Sequence, residues 1–232
     1  MMEHMREVIK YPGVELNSEE RILFNYACKN LINSCREPLE FMTEHLISDH
    51  GGEITNKLFV ICNDIIKLID EFCLPTSFSV KNIVNYYQIK GDCRKYLAEI
   101  SLEQEQYTID VEGAYISYYK AFNAAKGLHG ADPMRITLAL NLSNFYYTVL
   151  RTPKDALAVA KAEYERGVET LGELPDSLHR ESAIQLQLLH DSICVWVKRD
   201  LQARADLQAR IDQVALRPVI SPCLSNSLLS IL

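Results

Sequence analysis

Between Tyr86 and Glu99 the sequence YYQIKGDCRKYLAE places Lys90, Arg94 and Lys95 close together, with Tyr96 next in line. Cations beside a phenol suit an anion: the cations supply charge and the hydroxyl a directional donor. The same stretch also fits a solvated basic face beside an ordinary core stripe. Lys29 and Arg36 are a second pair of cations. Seven residues apart, they fall on one face of a helix, two turns from each other. Farther on, Thr137, Asn141, Asn144 and Thr148 recur at i, i+4, i+7 and i+11 in an otherwise apolar segment. A polar stripe of that kind faces either buried partners or a cleft.

Reactive chemistry finds little support. The six histidines show no HxxxH or HExxH spacing, and no P-loop, GxGxxG or GxSxG motif occurs. No metal, cofactor or nucleophile–base pair is therefore expected, and the chain reads as a binding protein, not an enzyme. A net charge of −7 argues against wholesale nucleic-acid binding, so any phosphate binding is local. The apolar runs are far too short to span a membrane, and the N-terminus lacks the apolar block of a signal peptide. Seven cysteines without a CxxC pair fit buried thiols in a reducing, cytoplasmic setting better than a disulfide framework.

The elements that carry these residues read as helices throughout. Residues 2–10 form a short helix that stops before Pro12 and Gly13. Asn17 or Ser18 caps a long helix with two acidic residues in its first turn, and Pro38 predicts a kink just after Arg36 before the helix resumes to about residue 47. A third helix is expected over 53–73, after Gly51 and Gly52, with Leu58, Ile61, Ile65, Leu68 and Phe72 as its buried stripe. The basic stretch lies in the next helix, 80–102. Gly91 within it costs roughly 1 kcal/mol relative to alanine, which points to something packed close against the backbone. Further helices follow over 107–126, 133–150, 152–171 and 175–198, two of them started by Asp132-Pro133 and Thr152-Pro153. The fold class is all-α, about eight helices joined by short loops as antiparallel neighbours. Residues 1–199 form the helical domain, and 200–232 a helical extension, with DLQAR repeated, and a serine-containing mobile tail.

The order of segments resembles the 14-3-3 proteins, all-helical adaptors for phosphoserine and phosphothreonine. The stretches that carry the resemblance are LNSEERILFNYACKNLINSCRE, ICNDIIKLIDEFCLP, YYQIKGDCRKYLAE, DPMRITLALNLSNFYYTVLRTPKDALAVAK and IQLQLLHDSICVW. The resemblance implies a phosphate site at Lys29, Arg36, Lys95 and Tyr96, where lysine at 95 stands in the place of the family's arginine. It implies contacts to peptide backbone from Asn141 and from Ser192, which replaces a family asparagine. An apolar wall is expected at Leu140, Leu188, Val195 and Trp196, with Gln88 where the family has a groove lysine. Lysine keeps the charge of arginine but loses the planar fork that grips two oxygens. The partners implied are phosphorylated client proteins. The resemblance begins where the family's second helix is already under way, so the first helix is missing and a monomer or a non-standard dimer is expected in place of the usual one. Ser230, two residues before the end, resembles the family's C-terminal ligand type, and Ser221-Pro222 is a second, poorer candidate; either phosphorylated serine would bring the tail into the chain's own groove, or a neighbour's, in competition with clients. The competing expectation is a helical scaffold that binds partners without phosphate.

Overall fold

The computed structural model describes residues 2–11, 13, 15–45 and 50–215. No strand occurs among them; eight α-helices do. They are α1 (Met2–Ile9), α2 (Ser18–His45), α3 (His50–Leu68), α4 (Val80–Ile100), α5 (Gln104–Ala125), α6 (Pro133–Thr148), α7 (Pro153–Thr170) and α8 (Asp176–Ala215). By contact the chain divides into two compact units, Met1–Ser192 and Ile193–Leu232.

Helix starts follow local chemistry. Asn17, of the two candidate caps, takes the role at α2: its Oδ1 accepts the backbone N–H groups of Glu19 and Glu20 at 2.9 and 3.0 Å. The Glu20 carboxylate reaches back to accept the Asn17 N–H at 2.8 Å, a reciprocal capping box. Asp132 starts α6, accepting from the Met134 N–H at 2.9 Å, with Pro133 pre-set for the first turn. Glu15 serves α4 from a distance, its Oε1 accepting the N–H groups of Phe78 and Ser79 at 3.1 and 2.8 Å.

Two boundaries differ from expectation. Helix α3 begins at His50 and takes Gly51 and Gly52 into its first turn, where sequence chemistry predicts a start at residue 53. Its far end is not α-helical: Ile69–Cys73 form a π turn, with the Leu74 N–H donating to the Ile69 carbonyl at 2.9 Å. Pro75 has no N–H to continue the ladder. The hydroxyls of Thr76 and Ser77 take up the carbonyls of Phe72 and Cys73, at 2.8 and 2.6 Å. Helix α2 runs on through Pro38 to His45.

Helix α4 belongs to both halves of the first unit's core. One apolar cluster joins it to α1, α2 and α3 through Phe24, Ile65, Ile69, Tyr86 and Leu97. The other joins it to α5 and α6 through Val84, Tyr118, Leu138 and Phe145. Polar clamps fix the same neighbours. Arg21 Nη1 donates to Asn82 Oδ1 at 2.8 Å, tying α2 to α4. Arg94 pairs with the buried Asp110 at 2.7 Å, tying α4 to α5. Arg135 and Glu163, both buried, form a two-pronged pair at 2.7 and 3.1 Å that locks α6 onto α7. Cys28, Cys35, Cys62, Cys73 and Cys93 are buried thiols as expected, whereas Cys194 is exposed.

In the second unit the described residues continue α8, so the extension is part of that helix. The doubled DLQAR places Gln202 four residues before Asp206 and Gln208 four before Asp212, and each glutamine donates to its aspartate at 2.8 Å. Residues 201–212 are all exposed.

Candidate functional site

Helix α4 presents Asn85, Gln88, Asp92 and Tyr96 at steps of three, four and four, one continuous face. That face lines a cavity of about 600 Å³ in the first unit. Helix α2 contributes Asn25, Lys29 and Asn33 at helical spacing, and α6 contributes Thr137 and Asn141, the first half of its polar stripe. Leu178, Glu181 and Gln185 on α8 close the remaining side. The first half of the stripe thus faces a cleft, whereas Asn144 and Thr148 do not line it.

At one end stand the cations. The guanidinium carbon of Arg36 lies 4.3 Å from the centroid of the Tyr96 ring, and Lys95 Nζ lies 4.6 Å from the same centroid. A ring face attracts cations through its quadrupole. Two like charges are thereby held at one side chain. Lys29 is exposed and lines the cavity with Tyr96. Burial, opposed by the Arg36 charge, pushes the Tyr96 hydroxyl well above its ordinary pKa, so it stays protonated and able to donate.

Asp92 is the charge that balances this cluster. Its Oδ1 accepts the Tyr118 hydroxyl at 2.5 Å and the Asn141 Nδ2–H at 3.5 Å. Burial raises its pKa; the charges of Lys95, Lys29 and Arg36 and the Tyr118 hydrogen bond pull the other way without cancelling it. Asp92 therefore orients Asn141 and offsets the neighbouring cations. Sequence reasoning passed over it, because an acid among basic residues reads as ordinary charge balance. The available signal was its position, three residues before Lys95 and four before Tyr96, on the same helical face.

Of the three basic residues in the central stretch, Lys95 is the one placed over the Tyr96 ring, although neither it nor Arg36 lines the cavity itself. Lys90 donates to both carboxylate oxygens of Asp70 at 2.7 Å, and Arg94 is held by Asp110. Gly91 behaves as its placement suggests: a Cβ there would meet the Tyr118 ring at 2.9 Å.

The other expected peptide contacts are placed less centrally. Gln88 and Asn141 line the cavity, whereas Leu140, Leu188 and Ser192 do not. Leu188 is half exposed, and the Ser192 hydroxyl donates to the Leu188 carbonyl of its own helix at 3.0 Å. Val195 is exposed and Trp196 buried, both in the second unit. Ser221 and Ser230 lie outside the described residues.

The chain is similar in sequence to known proteins of one family. The family model described as 14-3-3 protein matches residues 1–197. A 14-3-3-like protein of Fucus vesiculosus is 34% identical over 208 residues, 84% of this chain and 82% of the relative. The 14-3-3 protein epsilon of Drosophila melanogaster is 32% identical, over 88% of this chain and 82% of its own length. The 14-3-3-like protein GF14 epsilon of Arabidopsis thaliana is 31% identical, over 89% and 86% respectively.

Proposed function

Because the chain belongs to the 14-3-3 family, whose members are protein-binding adaptors, we propose that it binds client segments carrying phosphoserine or phosphothreonine in the cavity between α2, α4, α6 and α8. The observation that carries this reading is the gathering of Arg36 and Lys95 around the Tyr96 ring, beside the exposed Lys29. A phosphoserine brings about −1.5 to −2 charge and three acceptor oxygens. The three cations and the protonated Tyr96 hydroxyl offer matching donors. Charge-assisted hydrogen bonds of this type contribute about 1.5–3 kcal/mol each. Asn141, steadied by Asp92, is poised to bond the client backbone with its remaining groups.

The mechanism is binding alone: the phosphate docks on the cations, and the flanking peptide lies along α4 and α6, masked from or presented to other partners. A cytoplasmic location, and regulation by a tail phosphorylated at Ser230 or Ser221, belong to the same proposal and rest on sequence features only.

Fluorescence anisotropy of a labelled phosphoserine peptide with the full chain tests the reading, with the unphosphorylated peptide as control. Saturable binding of the phosphorylated form alone is expected. Equal binding of both forms would replace it with that of a phosphate-independent helical scaffold.

A further inference from the structure

The cavity has a second end, and it is built differently from the first. There Lys81 on α4 is held by the buried Asp132 at 2.9 Å, and Arg21 on α2 donates to Asn82. One turn farther along α4 sits Asn85, only 4% exposed and part of the cavity wall. Its Nδ2 has no hydrogen-bond partner within the protein. A buried amide donor left unpaired costs stability, so a partner is expected in the working state. The surrounding wall supplies further carboxamides: Asn25, Gln88 and Gln185 line the same cavity. This end is therefore suited to a neutral side chain that both accepts and donates.

We propose that Asn85 sets client preference at one remote position, donating from Nδ2 to the carboxamide oxygen of an asparagine or glutamine in the bound segment. The assignment rests on the phosphopeptide reading above. Asn85 lies eleven residues before Tyr96 on α4. At 1.5 Å per residue that is about 16 Å along the helix. An extended peptide covers about 3.3 Å per residue, so the recognised side chain stands about five positions from the phosphorylated residue.

The test uses the full chain and labelled phosphoserine peptides. One series carries glutamine or leucine five positions before the phosphoserine, and another carries them five positions after it. A trimmed peptide ends two residues to either side. In one of the two directions wild type is expected to favour glutamine over leucine by about tenfold, the worth of one hydrogen bond of ordinary strength. Asn85→Leu is expected to abolish that preference. Should Asn85→Leu not fold, Asn85→Ala removes the same donor without added bulk. Equal affinity for glutamine and leucine in both series would overturn the assignment. So would an Asn85 variant that melts at a higher temperature while every affinity stays as in wild type, since the amide would then be a structural cost alone. A trimmed peptide that binds no better with phosphate than without it would overturn the adaptor reading itself, and this assignment with it.

Discussion

The Tyr118 ring lies against the backbone of Gly91, and its hydroxyl donates to Asp92, the very next residue. The close approach and the hydrogen bond are one arrangement: the ring reaches the carboxylate because nothing projects from position 91. A methyl group there would stand 2.9 Å from Tyr118 Cδ1. Tyr118 is fully buried between α4 and α6 neighbours and has little room to yield. Overpacking of this kind costs about 1–3 kcal/mol, offset by roughly 1 kcal/mol from alanine's better helix propensity. Gly91→Ala is thus expected to lose about 1 kcal/mol in denaturant unfolding and to weaken phosphopeptide binding as Asp92 loses its donor. Unchanged stability and affinity would show that the ring moves freely.

Lys95 offers charge without a fork. Lys95→Arg supplies two parallel donors to phosphate oxygens and retains the cation over the Tyr96 ring. Affinity for a phosphoserine peptide is expected to rise several-fold, about 1 kcal/mol. Titration giving the same Kd for both proteins would remove the geometric distinction between lysine and arginine at this position.

Lys90 serves as the contrast. Its ammonium is already engaged by Asp70 on the π turn after α3. Lys90→Ala should change phosphopeptide affinity less than twofold, while Lys95→Ala lowers it by about tenfold or more. Similar losses in the two variants would mean that the basic stretch acts as a diffuse field and not through individual contacts.

Asp92 carries a pH signature opposite to ordinary acid unfolding. Its pKa in the folded protein is raised above the usual 3.8, chiefly by burial. Between those two values the folded state holds the proton more tightly than the unfolded chain, so this group's contribution to stability falls as pH rises. Asp92→Asn lacks that dependence. The stability of Asp92→Asn relative to wild type is expected to increase as pH climbs from 3.8 through the raised value, in paired denaturant titrations across that range. A difference independent of pH would place the folded pKa at its ordinary value.

The Arg135–Glu163 pair predicts an asymmetry between breaking and replacing. Glu163→Ala leaves a buried guanidinium with a weakened environment, and about 3–5 kcal/mol of stability should go with it. The double variant Arg135→Met, Glu163→Leu removes both charges and should lie much closer to wild type. If the double variant is as unstable as the single one, packing and not charge governs the α6–α7 contact.

Much of this was legible in the sequence because it is local. Periodicity gives the helices, and Asn17 and Asp132 announce their starts through bonds made within three residues. Gly91 announced a close neighbour, though not that the neighbour was Tyr118. What stayed hidden depends on residues distant in the chain. Nothing near Lys90 or Arg94 reveals that Asp70 and Asp110, from other elements, already engage them. Nothing near Asn85 reveals that its amide ends without a partner. The π turn at Ile69–Cys73 was hidden for a different reason, since Ile69, Phe72 and Cys73 keep the apolar spacing of an ordinary helix end.

The thiols packed behind the groove give the molecule a built-in clock. Cys28, Cys62, Cys73 and Cys93 come from α2, α3, its π turn and α4 and share one apolar cluster of the core. Burial pushes the Cys73 thiol up to about 12 and the Cys28 thiol higher, and a hydrogen bond with the Cys62 thiol, together with burial, raises that of Cys93 well above its ordinary value. A thiol so placed reacts only while its helix is open. The alkylation rate of each cysteine therefore times the breathing of one wall, and the occupied groove, if it steadies those walls, would slow all four together.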